Sequence, residues 1–169
     1  MLRSTELAGG QPRDAQEGEA EAGSVQGASA TPSQINHLGI AVRDLDEALL
    51  VWRDGLGLAV QQVVDLPDRG LRVAFLPCGE AMIELLAPLH DHSEISKFLA
   101  DRGPGLHHVC LQTADLSGST QRAEAAGLRL LGEGPKLGAE GYPVRFAHPK
   151  TTGGALVELL EVAQKSALP

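Results

Sequence analysis

The 169-residue sequence has little aromatic character. Phe, Trp and Tyr together make up 3% of it, while hydrophobic residues as a group reach 43%. There is enough apolar material for a core, but it has to be built from Leu, Val, Ile and Ala rather than from stacked rings. Cysteine is also scarce, with only Cys78 and Cys110. Two thiols make no disulfide framework, so both are expected to be free in a reducing compartment. No apolar run approaches the roughly 18 residues a membrane helix needs. The start of the chain has neither the basic residues nor the apolar stretch of a signal peptide. The expectation is a cytoplasmic protein with no membrane partner. Positive charge is in deficit: 14 Lys and Arg face 22 Asp and Glu, a net charge of -8. With no basic cluster to offset it, that balance excludes nucleic acid as a partner.

What is present is unevenly distributed. Residues 1–34 are rich in Gly, Ala, Ser, Gln and Glu and show no periodic apolar face. Such a segment buries too little surface to offset its ordering entropy, and it reads as a disordered tail. From residue 35 the texture changes to that of a folded domain, 35–163. "INHLGIAV" alternates like a strand. "RDLDEALLVWRDGLG" has helical spacing, with Asp44 as N-cap and Gly55 or Gly57 as stop. Three further apolar segments follow, ending in "AMIELLAPL", to give a first βαβββ module over 35–89. A connecting helix, 93–102, is capped by Ser93. A second module over 106–161 repeats the order: "LHHVCLQT", a helix capped by Asp115, then "LRLLGE", "YPVRFAH" and "GALVELLEV". The loop "GPKLGAEG" separates two of these strands. The fold class is α+β: two repeated βαβββ modules whose sheets curve around a shared cleft.

The repeat selects candidate site residues. At an offset of 71 residues, Asp44 falls on Asp115, His37 on His108 and Asn36 on His107. At an offset of 74, Glu84 falls on Glu158. Strand neighbours point to opposite faces, so His107 and His108 are not expected to serve one site. The repeat favours His108, and His107 is expected to face a helix or a subunit interface. Glu84 and Glu158 both sit mid-strand among apolar neighbours, where a carboxylate is costly unless paired or bound to a cation. Two imidazoles and two carboxylates from matched positions form a mixed N/O set suited to a divalent transition metal.

These residues resemble the vicinal oxygen chelate superfamily. Within it, "INHLGIAVRDLDEAL", "ISKFLADRGPGLHHVCLQT" and "KLGAEGYPVRFAHPKTTGGALVELLE" are similar to the methylmalonyl-CoA epimerases over nearly all of 35–161. The resemblance implies metal ligands at His37, Glu84, His108 and Glu158, with Glu158 also a catalytic acid/base. The implied cofactor is a divalent metal, Co2+ foremost, with Zn2+, Mn2+ or Ni2+ as alternatives. The implied reaction is epimerisation of methylmalonyl-CoA by α-proton abstraction through a metal-stabilised enolate. The implied partners are an acyl-CoA substrate and a second copy of the chain. Some relatives carry a second catalytic Glu where this sequence has Val73. Lys136, Arg145 and Lys150 are candidates for the phosphates of the coenzyme A tail. The alternatives within the same fold are a glyoxalase-type lyase and a non-catalytic ligand-sequestering protein.

Overall fold

The computed structural model describes residues 29–162. Its elements run β1 (Gln34–Ala41), α1 (Leu45–Leu49), β2 (Gln62–Leu66), β3 (Leu71–Cys78), β4 (Ala81–Pro88), α2 (Glu94–Arg102), β5 (Gly105–Thr113), α3 (Leu116–Ala125), β6 (Leu130–Leu137), β7 (Pro143–Ala147) and β8 (Leu156–Glu161). The expected βαβββ order is present twice. Each helix begins where a short polar side chain can satisfy an orphan backbone N–H. The Asp44 carboxylate accepts from the Glu47 N–H at 2.9 Å, and Asp115 accepts from the Gly118 N–H at 2.8 Å. The Ser93 hydroxyl accepts from the Ser96 N–H at 3.0 Å. Helix α1 does not stop at Leu49 but continues as a π-helical turn over Leu50–Gly55.

The two modules do not form two sheets. They share one curved, unclosed eight-stranded sheet in the order β2-β3-β4-β1-β5-β8-β7-β6. The seam is the antiparallel β1–β5 pair, and each half places its first and last strands side by side in parallel. The register repeats the sequence offsets. Gly39 lies opposite Glu84 in the first half, and Cys110 lies opposite Glu158 in the second.

Alternation divides the first half into two apolar layers. Ala74, Leu76, Ile83 and Leu85 pack against Leu45 and Leu49 of α1. Val73, Phe75 and Leu86 face the other way and pack against Ile95 and Leu99 of α2. The second half has a smaller buried apolar cluster of Cys110, Val144 and Leu160, with Phe146 and Val162 against it. Its helix α3 packs on β7 and β8 partly through hydroxyls, with Thr113 and Ser119 buried and 2.8 Å apart.

Two boundaries differ from expectation. Order reaches upstream of residue 35: Gln34 belongs to β1, the Ser33 N–H donates to the Gln112 carbonyl at 2.9 Å, and Thr113 donates to the Ser29 carbonyl at 3.2 Å. The rest of the expected tail, 1–28, and the domain's last expected residue, 163, lie outside the described residues. The expected loop "GPKLGAEG" is shorter than its glycines suggest. Lys136 and Leu137 pair with Val144 and Pro143, so the strand continues to Leu137. The turn itself is closed by Gly138 N–H donating to the Tyr142 carbonyl at 2.8 Å, with Gly141 in the left-handed region at φ 82°.

Candidate metal centre

The seam brings the four singled-out side chains together. His37 on β1, Glu84 on β4, His108 on β5 and Glu158 on β8 are all buried, with 3–6% exposure. The two imidazole Nε2 atoms are 2.9 Å apart. Glu158 Oε2 lies 3.0 Å from His108 Nε2 and 3.3 Å from His37 Nε2. Glu84 Oε2 lies 3.5 Å from His37 Nε2. Register accounts for this meeting. His37 and His108 are each placed opposite a small residue of the other strand, since Gly39 pairs with His108 and Cys110 with His37. A Cβ added to Gly39 would overlap the His108 ring, so the imidazole occupies the space that glycine leaves.

Both imidazoles are oriented from behind, and the sequence reading missed this. The Asn36 amide donates to Gln112 Oε1 at 3.1 Å, which leaves Asn36 Oδ1 to accept from His37 Nδ1 at 2.9 Å. In neutral His37 this tautomer points the Nε2 lone pair into the cluster. On the other side, His107 Nδ1 is 2.9 Å from His108 Nδ1, and the rings meet edge to face at 5.2 Å. Burial, followed by the neighbouring His108, pushes the His107 pKa down to about 4, so His107 is neutral and can accept. An inward lone pair on His108 requires its proton on Nδ1, donated to His107.

His107 does face a helix, as expected, with Phe98 of α2 against its ring, but the expectation that it stands apart from His108 is corrected. The β1–β5 ladder shifts register between Ile35 and His37 and again between Gly39 and Ile40, where the partners jump from His108 to Leu106. Asn36 and His107 are the extra residues of two β-bulges. A bulge breaks strict alternation and turns the extra side chain toward its neighbour. Phe98 of α2 backs the His107 ring at 4.9 Å. The signal was present at offset 71, where Asn36 falls on His107; strand alternation hid its meaning.

The electrostatics describe a cluster short of positive charge. Burial raises the Glu84 pKa to about 7 against the opposing pull of His37. Burial also works against ionised Glu158, but hydrogen bonds from His108 and His37 outweigh it and hold that carboxyl at about 2. Burial disfavours charge on His37 too, yet Glu158 and Glu84 prevail and its pKa is raised. Glu84 Oε1 is buried without a hydrogen-bond partner. Displacing the Nε2 protons would leave two inward nitrogens 2.9 Å apart beside one ionised carboxylate and one orphaned carboxylate oxygen, a donor set matched to a divalent cation.

Other candidates separate from this centre. Cys110 is fully buried beside it, and burial pushes its thiol pKa far up, which makes it a packing residue. His90 and His92 are exposed. Val73 is fully buried in the apolar layer beneath α2. Arg145 is also buried, but it pairs with Leu159 rather than Glu158, so it sits on the opposite face of the sheet. Its suggested role toward a coenzyme A tail is not supported by that placement. A further carboxylate does join the cluster: ligand-type atoms of His37, Glu84 and Glu140 lie within 4.8 Å of one another.

Comparison with known proteins agrees with this architecture. A model of the Glyoxalase/Bleomycin resistance protein/Dioxygenase superfamily matches residues 36–146. The ethylmalonyl-CoA/methylmalonyl-CoA epimerase of Cereibacter sphaeroides is 44% identical over 132 residues, covering 76% of this chain and 98% of that protein. A crystal structure of methylmalonyl-CoA epimerase from Mycobacterium tuberculosis superposes with a TM-score of 0.72 at 39% identity, over 80% of this chain and 92% of that one. A methylmalonyl-CoA epimerase in complex with methylmalonyl-CoA and NH4+ superposes at 0.73 and 30% identity, over 82% of this chain and all of the other. Paired modules, a shared seam and the family match together place this chain in the Glyoxalase/Bleomycin resistance protein/Dioxygenase superfamily.

Proposed function

We propose that this protein interconverts the C2 epimers of methylmalonyl-CoA with a divalent metal held by His37, Glu84, His108 and Glu158. The observation that carries the reading is the convergence of these four buried side chains at the seam of two modules, in a chain 44% identical to an ethylmalonyl-CoA/methylmalonyl-CoA epimerase.

The difficulty of the reaction is the charge that develops on the thioester oxygen when the α-proton leaves. A metal in this cluster supplies Lewis acidity toward that oxygen and a template for the substrate. The chain's own residues do the rest. Asn36 and His107 fix the tautomers of the two imidazoles. Glu158, whose Oε2 lies at the edge of the imidazole pair, is the carboxylate placed to accept a proton from C2. The other face of C2 needs a second proton carrier, and Val73 cannot be it, since its side chain carries no proton-transfer group. Co2+ as the resident metal, coenzyme A as the substrate's carrier group, a homodimer and a cytoplasmic location belong to the same proposal.

Isotope exchange tests it. The metal-loaded protein is incubated in D2O with one epimer of methylmalonyl-CoA, while C2 deuteration and circular dichroism are followed. The expected outcome is deuterium at C2 together with loss of optical activity. Metal-loaded protein that produces neither contradicts the reading. Turnover of the hemithioacetal of methylglyoxal and glutathione in its place would favour the lyase alternative.

A further inference from the structure

We propose that Glu140, on the turn between β6 and β7, is the second proton carrier and works on C2 from the Glu84 side of the cluster. The proposal rests on the epimerase reading above. Epimerisation breaks a C–H bond on one face of C2 and makes one on the other, so two proton carriers are needed.

The turn is built to deliver this carboxylate. It runs from the end of β6 at Leu137 to the start of β7 at Pro143, closed by the Gly138–Tyr142 and Gly141–Gly138 backbone hydrogen bonds of 2.8 and 3.1 Å. Gly138 lies over the cluster: a Cβ there would sit 3.6 Å from Glu158 Oε1. The next residue, Ala139, crosses the seam and packs on the first module's layer of Val73, Phe75 and Leu86. Glu140 is thereby held over the first module's half of the site, with His37 and Glu84. Glu158 is grouped instead with His37 and His108. Both carboxylates belong to the second module, but they meet the centre beside different partners, Glu158 by His108 and Glu140 by Glu84.

Alternatives for the role fail on the same geometry. His107 is engaged with His108 Nδ1, and Cys110 is fully buried with its thiol pKa pushed far up. Val73 is apolar. Glu140 is exposed while its carboxylate lies within 4.8 Å of ligand-type atoms of buried His37 and Glu84, so it joins the buried cluster to solvent.

The step balances without a co-reactant. One carboxylate takes the C2 proton, and the C–H electron pair passes into the thioester carbonyl to give the enolate. The other group, as the carboxylic acid, returns a proton to the opposite face of C2. Water resets the two protonation states.

Glu140→Gln is the test. Each epimer is incubated separately with wild-type and variant protein in D2O, and metal content is measured in parallel. Wild type is expected to deuterate both. The variant is expected to keep one metal per chain and still deuterate one epimer, while deuteration of the other falls by about 100-fold or more, the usual contribution of a positioned acid/base. Deuteration of both epimers near wild-type rates overturns the proposal, as does equal loss from both. Loss of metal from the variant also overturns it, by making Glu140 a ligand. Wild type that deuterates neither epimer would strike at the epimerase reading instead.

Discussion

The two halves of the sheet agree closely where they meet and diverge where they face outward. At the seam, His37 and His108, Glu84 and Glu158, and even the bulged residues Asn36 and His107 occupy matched registers. Away from it, the first half packs two extensive apolar layers under α1 and α2. The second half has a small apolar cluster and a helix seated partly on hydroxyls. The difference teaches that the repeat is preserved as a device for placing donors. Packing tolerates any residues that fill the volume, whereas a cation site depends on donor distance and direction.

The match at the bulges can be broken from either side. Asn36→Ala and His107→Ala each remove the acceptor that fixes one imidazole. Metal affinity is expected to fall by about 10- to 100-fold in each case, the range for removing the partner of a ligating histidine. Titration of metal-free protein, followed calorimetrically, measures it. Loss in one variant and none in the other would mean that the bulges are alike in shape but not in role.

The residues beside the imidazoles sharpen the comparison differently. Gly39 and Cys110 hold equivalent positions, yet only glycine leaves room for the facing ring. Gly39→Ala is expected to cost about 1–3 kcal/mol by overpacking and to displace His108. Cys110→Ala is expected to cost about 1 kcal/mol through a small void and to leave metal affinity within a few-fold. Denaturant unfolding and metal titration of both variants check this.

A pH dependence separates the two carboxylates. Glu84 has its pKa raised from 4.5 to about 7, so the metal-free folded chain binds more protons there than the unfolded chain. Its contribution to stability is full below 4.5 and is lost as pH rises toward 7. Glu158 is lowered to about 2, so its contribution is present above 4.5 and is lost as pH falls toward 2. Between pH 5 and 8, metal-free protein is expected to lose stability through Glu84 and, above 6.5, through His37, while His107, lowered to about 4, gains stability up to 6.5. Metal is expected to abolish the losses at Glu84 and His37. Thermal unfolding with and without metal reads both.

Much of this was legible in the sequence. Offsets of 71 and 74 identified all four buried side chains that converge, because a repeat preserves register even when loop lengths differ. The helix caps were legible because Asp44, Ser93 and Asp115 act on backbone within a few residues of themselves. What could not be read depended on single-residue irregularities. A bulge adds one residue to one strand, and nothing in "GLHHV" or "INHLG" marks the extra one, so alternation assigned His107 to the wrong role. Glu140 was equally hidden. In a chain with 22 acidic residues, one more in a glycine-rich turn reads as solvated charge until the turn is seen to cross the seam.

The central claim is that one metal centre is built jointly by both modules. Its most direct test is Co2+ titration of the metal-free protein, with His37→Ala and His108→Ala beside it, followed by absorption and by equilibrium dialysis. The account predicts one Co2+ per chain in the unaltered protein and loss of that binding in both variants alike. A variant that keeps one tightly bound Co2+ per chain would assign the metal to a single module and contradict the account.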